Sequence, residues 1–153
     1  MQPTRASSSS SQSVDSSASL LAAARKVYVS YIHVSSKISQ DSGRGVERLK
    51  PYLTADAFQR QRASVDSVAK RNIRTVGDPE LIAFEAQSRE ASSGGLSAYA
   101  CVDFSRVRVK TSSGKDVTPV SRPDRQTSVP IFVLENGRLV LSKDGVWSGE
   151  SIC

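Results

Sequence analysis

A chain of 153 residues with 38% apolar and 24% charged side chains can bury one real core, so a single domain is expected. It holds no run of about 18 apolar residues, which excludes a membrane-spanning helix, and two cysteines with one histidine exclude a zinc site of ordinary spacing. The net charge of +6 belongs wholly to residues 20–78, where eleven Lys or Arg stand against five Asp or Glu. Scattered and without interleaved aromatics, these cations read as a solvated helix face, and no nucleic-acid partner is expected.

In chain order, residues 1–17 read as a disordered tether. Nine serines fall between Met1 and Ser19, and such a stretch buries too little surface to offset the entropy of ordering it. One α+β domain is expected over residues 18–153. Leu20, Ala24, Val27, Tyr28, Tyr31, Val34, Ser35 and Ile38 recur at three- and four-residue steps, which predicts an amphipathic helix of about five or six turns. Ser16 or Ser17 would cap it, and Asp41-Ser42-Gly43 would stop it. Pro51 then separates a short helical piece over residues 46–49 from a longer one over residues 54–70, which Thr54 and Asp56 start. Val76-Gly77-Asp78-Pro79 breaks the helical pattern.

Strand-like runs follow over residues 81–86, 96–109, 128–135 and 138–142. Asn136-Gly137 predicts a type I′ hairpin, since both residues tolerate positive φ. The polar segment 112–126, with two prolines, reads as a long mobile connection. Helices first and antiparallel strands afterwards argue for α+β, with the helices covering one face of a curved sheet.

The run Ala98-Tyr99-Ala100-Cys101-Val102-Asp103-Phe104-Ser105, then Ser113-Gly114-Lys115-Asp116-Val117, the hairpin Asn136-Gly137-Arg138, Trp147 and Cys153 together resemble a group of actinobacterial lipoproteins. The likeness covers roughly residues 20–153. Those proteins have the nuclear-transport-factor-2-like, or cystatin-like, fold, a cone of helices packed on a strongly bent sheet. The resemblance implies an exported, cell-surface protein whose serine tract follows a lipidated cysteine, a residue not present here. It implies as partner an envelope protein or a small apolar ligand, with membrane contact only through the lipid. Leu139 stands where that group usually places tryptophan, so the last strands are expected to be arranged differently.

Cys101 and Cys153 read first as a structural disulfide, which implies an oxidising compartment, and otherwise as two reduced core thiols. His33 lies in helical register with Lys26 and Lys37 on the polar face, so a histidine-based triad has no base inside the fold. Alternation puts Tyr99, Cys101 and Asp103 on one face of their strand and Ala98, Ala100, Val102 and Phe104 on the other. On a concave face, Asp103 beside a tyrosine would make an acid/base site like that of the ketosteroid isomerases, which the resemblance brings in; otherwise it is a solvent-side carboxylate near Arg106 and Arg108. Tyr28, Tyr31, Phe58 and Tyr99 are the candidates to line a ligand pocket, with plain core as the alternative. Ser93-Gly94-Gly95 and Gly43-Arg44-Gly45 lack the lysine and helix that a phosphate cradle needs. No metal, cofactor or catalytic constellation is expected. The leading expectation is a non-enzymatic, exported, lipid-anchored envelope binding domain with a small apolar pocket. The alternatives are an isomerase- or dehydratase-like enzyme built on Asp103 and a structural domain of an envelope secretion or conjugation assembly.

Overall fold

One long helix, α1 (Ser8–Gln40), is the spine of the fold in the computed structural model, which describes the backbone of residues 8–90 and 94–153 and the side chains of 17–89 and 94–153. Its core face is the expected one, with Ala24, Tyr28, Tyr31 and Ile38 buried. Its start is not. The backbone is helical from Ser8, so Ser16 and Ser17 lie within the helix instead of capping it, and residues 8–17 of the expected tether continue α1. Residues 1–7 of that tether lie outside the described residues. Extending an existing helix costs far less than nucleating one, and serine is only about 0.5 kcal/mol poorer than alanine within it. The stop falls where expected: Ser42 takes φ 57°, Gly43 N donates to Ile38 O at 2.8 Å and Ser42 N to Ser39 O at 3.2 Å. This pair of bonds satisfies carbonyls that the helix end would otherwise orphan.

A 3-10 helix (Val46–Tyr52) follows, then α2 (Ala55–Lys70), capped as expected by Thr54, whose side chain accepts from Ala57 N. The strands are β1 (Ile73–Val76), β2 (Glu80–Glu90), β3 (Gly95–Asp103), β4 (Arg108–Thr111), β5 (Arg125–Glu135) and β6 (Arg138–Val146). All pairings between them are antiparallel, in a four-stranded sheet of order β2-β3-β5-β6 and a separate β1-β4 ribbon. The architecture is therefore α+β, three helices packed against an antiparallel sheet. The β5-β6 hairpin turns through Asn136 (φ 52°) and Gly137 (φ 77°), the two positive angles that a type I′ turn needs.

Three expectations in this half of the chain are corrected. The long run 96–109 is two strands, because Asp103 Oδ1 accepts from Ser105 N at 2.7 Å and Val107 N donates to Phe104 O at 2.9 Å. An aspartate that captures an amide two residues on makes a turn, and this one ends β3. β1 was missed because four residues, alternately half-buried and exposed, carry little pattern of their own. The segment expected to be mobile is pinned: Arg108 Nε lies 2.8 Å from Asp116 Oδ2, Val109 N donates to Thr118 Oγ1 at 2.7 Å and Arg122 Nη2 to Phe104 O at 3.0 Å.

The inner face of the sheet carries Leu96, Ala100, Val102, Phe132 and Leu141 into the core beneath α1. Its outer face is crossed by the C-terminal segment. Cys101 and Cys153 form a disulfide with a Cα–Cα distance of 5.3 Å, and Thr127 receives the crossing segment: its carbonyl accepts from Trp147 N at 3.0 Å and its Oγ1 accepts from Ile152 N at 3.3 Å. No helix among the described residues is long and apolar enough to cross a membrane.

Closing a loop with a sequence separation of 52 stabilises the fold by about 4 kcal/mol on chain-entropy grounds. Cys153 is exposed, so Cys153→Ser removes the cross-link with little lost packing. Urea unfolding should show that loss for Cys153→Ser, and also for the reduced parent protein. An unchanged midpoint would mean that the C-terminal segment is held by Thr127 and its neighbours alone.

Candidate functional site

The core face of α1 does not fill all the space against the sheet. Between them, closed on one side by the β1-β4 ribbon, lies a cavity of about 240 Å³ lined by residues including Tyr28, Tyr31, Ile32, Phe104, Val107 and Asp144. Its rim is fixed where β1 turns into β2. Gly77 takes φ +91°, and a Cβ there would collide with the Arg106 carbonyl, so only glycine lets the ribbon approach this closely. The following Asp78 is then clamped to the end of α1: Oδ1 accepts from Ser36 Oγ at 3.2 Å and Gln40 Nε2 at 2.8 Å, with Lys37 Nζ at 3.5 Å. The bonds from Gln40 and Ser36 hold its carboxyl below the usual value.

Tyr28 is only 1% exposed and sits in an aromatic cluster, its ring centroid 5.8 Å from Phe84 and 6.5 Å from Phe132. Its hydroxyl donates to the Asp144 carboxylate, at 3.1 Å to Oδ2 and 3.3 Å to Oδ1. Burial pushes the Tyr28 and Tyr31 hydroxyls up in pKa, and the Asp144 charge adds to both shifts. Ser35, one turn beyond Tyr31, also lines the cavity. Its Oγ is buried with no partner of sound hydrogen-bond geometry, although it lies near enough to Tyr31 to oppose part of that shift.

A bulge puts Asp144 there. Leu139 and Leu141 face the core, and continued alternation would turn Lys143 inward next. The register instead slips: Phe132 pairs with Leu141 but Ile131 with Lys143, leaving Ser142 as the extra residue and re-aiming those beyond it. Ser142 Oγ donates to Ile131 O at 3.2 Å, and Arg60 Nη2 donates to Ser142 O at 2.7 Å. Asp144 thus comes opposite the buried Pro130, on the face that Phe132 presents to the core. The residue as a whole is exposed, because it also borders a second recess with Arg60 and Lys143. Its carboxylate is nevertheless crowded by the cavity wall, and that desolvation raises its pKa to about 6, against the Tyr28 hydrogen bond, which lowers it.

Of the residues expected to bind ligand, Tyr28 and Tyr31 line the cavity. Phe58 does not: it is core, with Lys50 Nζ 5.3 Å from its ring centroid. Tyr99 lies on the outer face against Trp147, at 5.3 Å between ring centroids. Asp103 shares that outer face. Ser105 and then Arg125, whose Nε is 3.0 Å away, hold its carboxyl down to about 2, so it is a turn and ion-pair residue turned away from the cavity that Val102 and Phe104 line. His33 is exposed. Among the described residues no three His, Cys, Asp or Glu side chains cluster to hold a metal. Asp144 was missed because Asp144-Gly145 looks like a turn and the apolar pattern stops at Leu141. The available signal was a buried tyrosine in need of a partner. A wider, open groove of about 830 Å³ runs between α1 and the β5-β6 hairpin, past Leu20, Tyr52 and Leu139, away from these groups.

No protein-family model matches this chain, and no curated protein sequence matches it. Among solved structures it is similar to the crystal structure of the intermembrane space region of chloroplast protein ARC6, with a TM-score of 0.62 and 12% identity over 84% of this chain and 97% of that one. At that identity the likeness is one of fold.

A carboxyl whose folded pKa is raised binds more protons folded than unfolded, so its stabilisation is complete below the unfolded value near 3.8 and is lost as pH rises through about 6. The stability of the parent minus that of Asp144→Asn should therefore decline between about pH 4 and 6 and be flat above. Asp78, Asp103 and Asp116, all shifted downward, act at lower pH with the opposite sign and cancel in the difference. Thermal or urea unfolding across that range measures it, and a flat difference would show that Asp144 titrates normally.

Proposed function

We propose that this chain is a non-enzymatic binding domain whose inner cavity takes a compact, largely apolar ligand. The observation that carries the reading is the cavity itself: about 240 Å³, where Tyr28, Tyr31, Ile32, Val102, Phe104 and Val107 give an apolar lining that alternates with serine, threonine and glutamine side chains and the Asp144 carboxylate. That composition is typical of ligand sites, and the volume lies below their usual range of roughly 300–1,000 Å³, so the ligand is small. The disulfide supports an oxidising, extracellular setting. A lipid-anchored place in a cell envelope, with an envelope protein as partner, rests on the serine tract and the lipoprotein resemblance. Proton transfer by Asp144 is the second reading, favoured by its raised pKa. It ranks below binding because the Tyr28 hydroxyl is already committed to that carboxylate and is not free to stabilise a developing negative charge.

Benzyl alcohol is a suitable neutral probe. Titrated into ¹⁵N-labelled protein, it should shift the amides of Ile32, Ser35, Phe104 and Val107 saturably, and Ser128→Phe, which fills the cavity from the sheet side, should abolish those shifts while the protein stays folded. Shifts that survive the filling, or that fall outside the cavity, would overturn the reading.

A further inference from the structure

Asp144 is a carboxylate at the wall of a cavity that also carries Tyr31, Ile32, Phe104 and Val107, and no cation among the described residues pairs with it. Among the described residues, no Lys or Arg nitrogen lies within 4.0 Å of its oxygens; the ion pairs there involve Asp41, Glu47, Asp78, Asp103 and Asp116. Arg60, which lines the adjoining recess, is turned instead to the Ser142 carbonyl. The hydrogen-bond partner Asp144 does have, the Tyr28 hydroxyl, is neutral and supplies one proton, whereas a carboxylate has about four acceptor sites. Water serves the outer side of this exposed residue, but where the carboxylate faces the cavity wall a charge is costly unless it is paired. The fold places it there through the Ser142 bulge, without which the alternation of β6 would have brought Lys143 to this face.

Two further features fit the same partner. Tyr28, Tyr31 and Phe104 line the cavity, and aromatic faces attract cations. Ser35 Oγ, buried and without a well-formed hydrogen bond, is a second acceptor in the wall, and an ammonium group has three donors to share. An anion would be repelled by Asp144, and a neutral ligand would leave the charge unanswered. We infer that the ligand of this cavity is a compact organic cation, its ammonium group paired with the Asp144 carboxylate and its apolar body lodged against Tyr31, Ile32, Phe104 and Val107. This rests on the binding reading above and narrows the ligand to one chemical class.

Three probes of nearly equal size and different charge test it: benzylamine, benzyl alcohol and benzoate, titrated at pH 7.5, where Asp144 is ionised. Benzylamine should bind at least about tenfold more tightly than benzyl alcohol, as expected for a charge-assisted pair in a partly desolvated site, with benzoate weakest. Asp144→Asn, checked for native circular dichroism, should bring benzylamine to within about threefold of benzyl alcohol measured on the same variant. Should that variant not fold, the order of the three probes on the parent protein decides. Benzyl alcohol matching benzylamine on the parent, or a folded Asp144→Asn that keeps the preference, would overturn the cation while leaving the cavity a binding site. If none of the three perturbs the cavity amides, the binding reading falls as well.

Discussion

A phenol buried to 1% exposure must find an acceptor, because a buried hydroxyl left unpaired costs about 1–3 kcal/mol. Tyr28 finds it in Asp144, which joins the middle of the first helix to the last strand across 116 positions of sequence. Helix α1 can lie on the sheet in only one rotation that brings this hydroxyl to that carboxylate. The same rotation sets Tyr28 among Phe84 and Phe132 and leaves Tyr31, Ile32 and Ser35 to wall the cavity. The bond therefore braces the core and ties α1 to the carboxylate that the Ser142 bulge sets at the cavity wall.

The sheet divides its work between faces. Inward, Val102 and Phe104 border the cavity and Leu96, Phe132 and Leu141 fill the core. Outward, Tyr99 packs on Trp147, Asp103 pairs with Arg125, and Cys101 is bonded to the C-terminal residue over the Thr127 hydroxyl. The outer face thus holds residues 147–153 in place, while the inner face builds the core and borders the cavity.

The aspartates show how environment assigns roles to one side chain. Asp78, Asp103 and Asp116 each accept several hydrogen bonds near a cation and are shifted down. They close turns: Asp78 clamps the β1-β2 turn to α1, Asp103 ends β3, and Asp116 anchors the segment after β4 to Arg108. Asp144 alone among them is shifted up, by desolvation without a compensating cation. Groups whose surroundings push pKa values apart mark where structure ends and chemistry can begin.

Local pattern was enough for much of the fold. The apolar face of α1, the Thr54 cap, the Asp41-Ser42-Gly43 stop, the Asn136-Gly137 hairpin and the alternation across Tyr99 to Phe104 each depend on neighbours within one turn or one strand, so the residues themselves determined them, and with them the α+β class. That Tyr28 and Tyr31 face inward was legible for the same reason. Tertiary structure decided the rest. Whether Tyr99 and Asp103 faced inward could not follow from alternation, which separates two faces without saying which one the helices cover. The ribbon of β1 and β4 exists only because its two short segments, 32 or more residues apart in every pairing, find each other in space. The place of Asp144 was decided by a one-residue slip against Ile131 and Phe132, and because strand side chains alternate with a period of two, such a slip reverses which side chains enter the core.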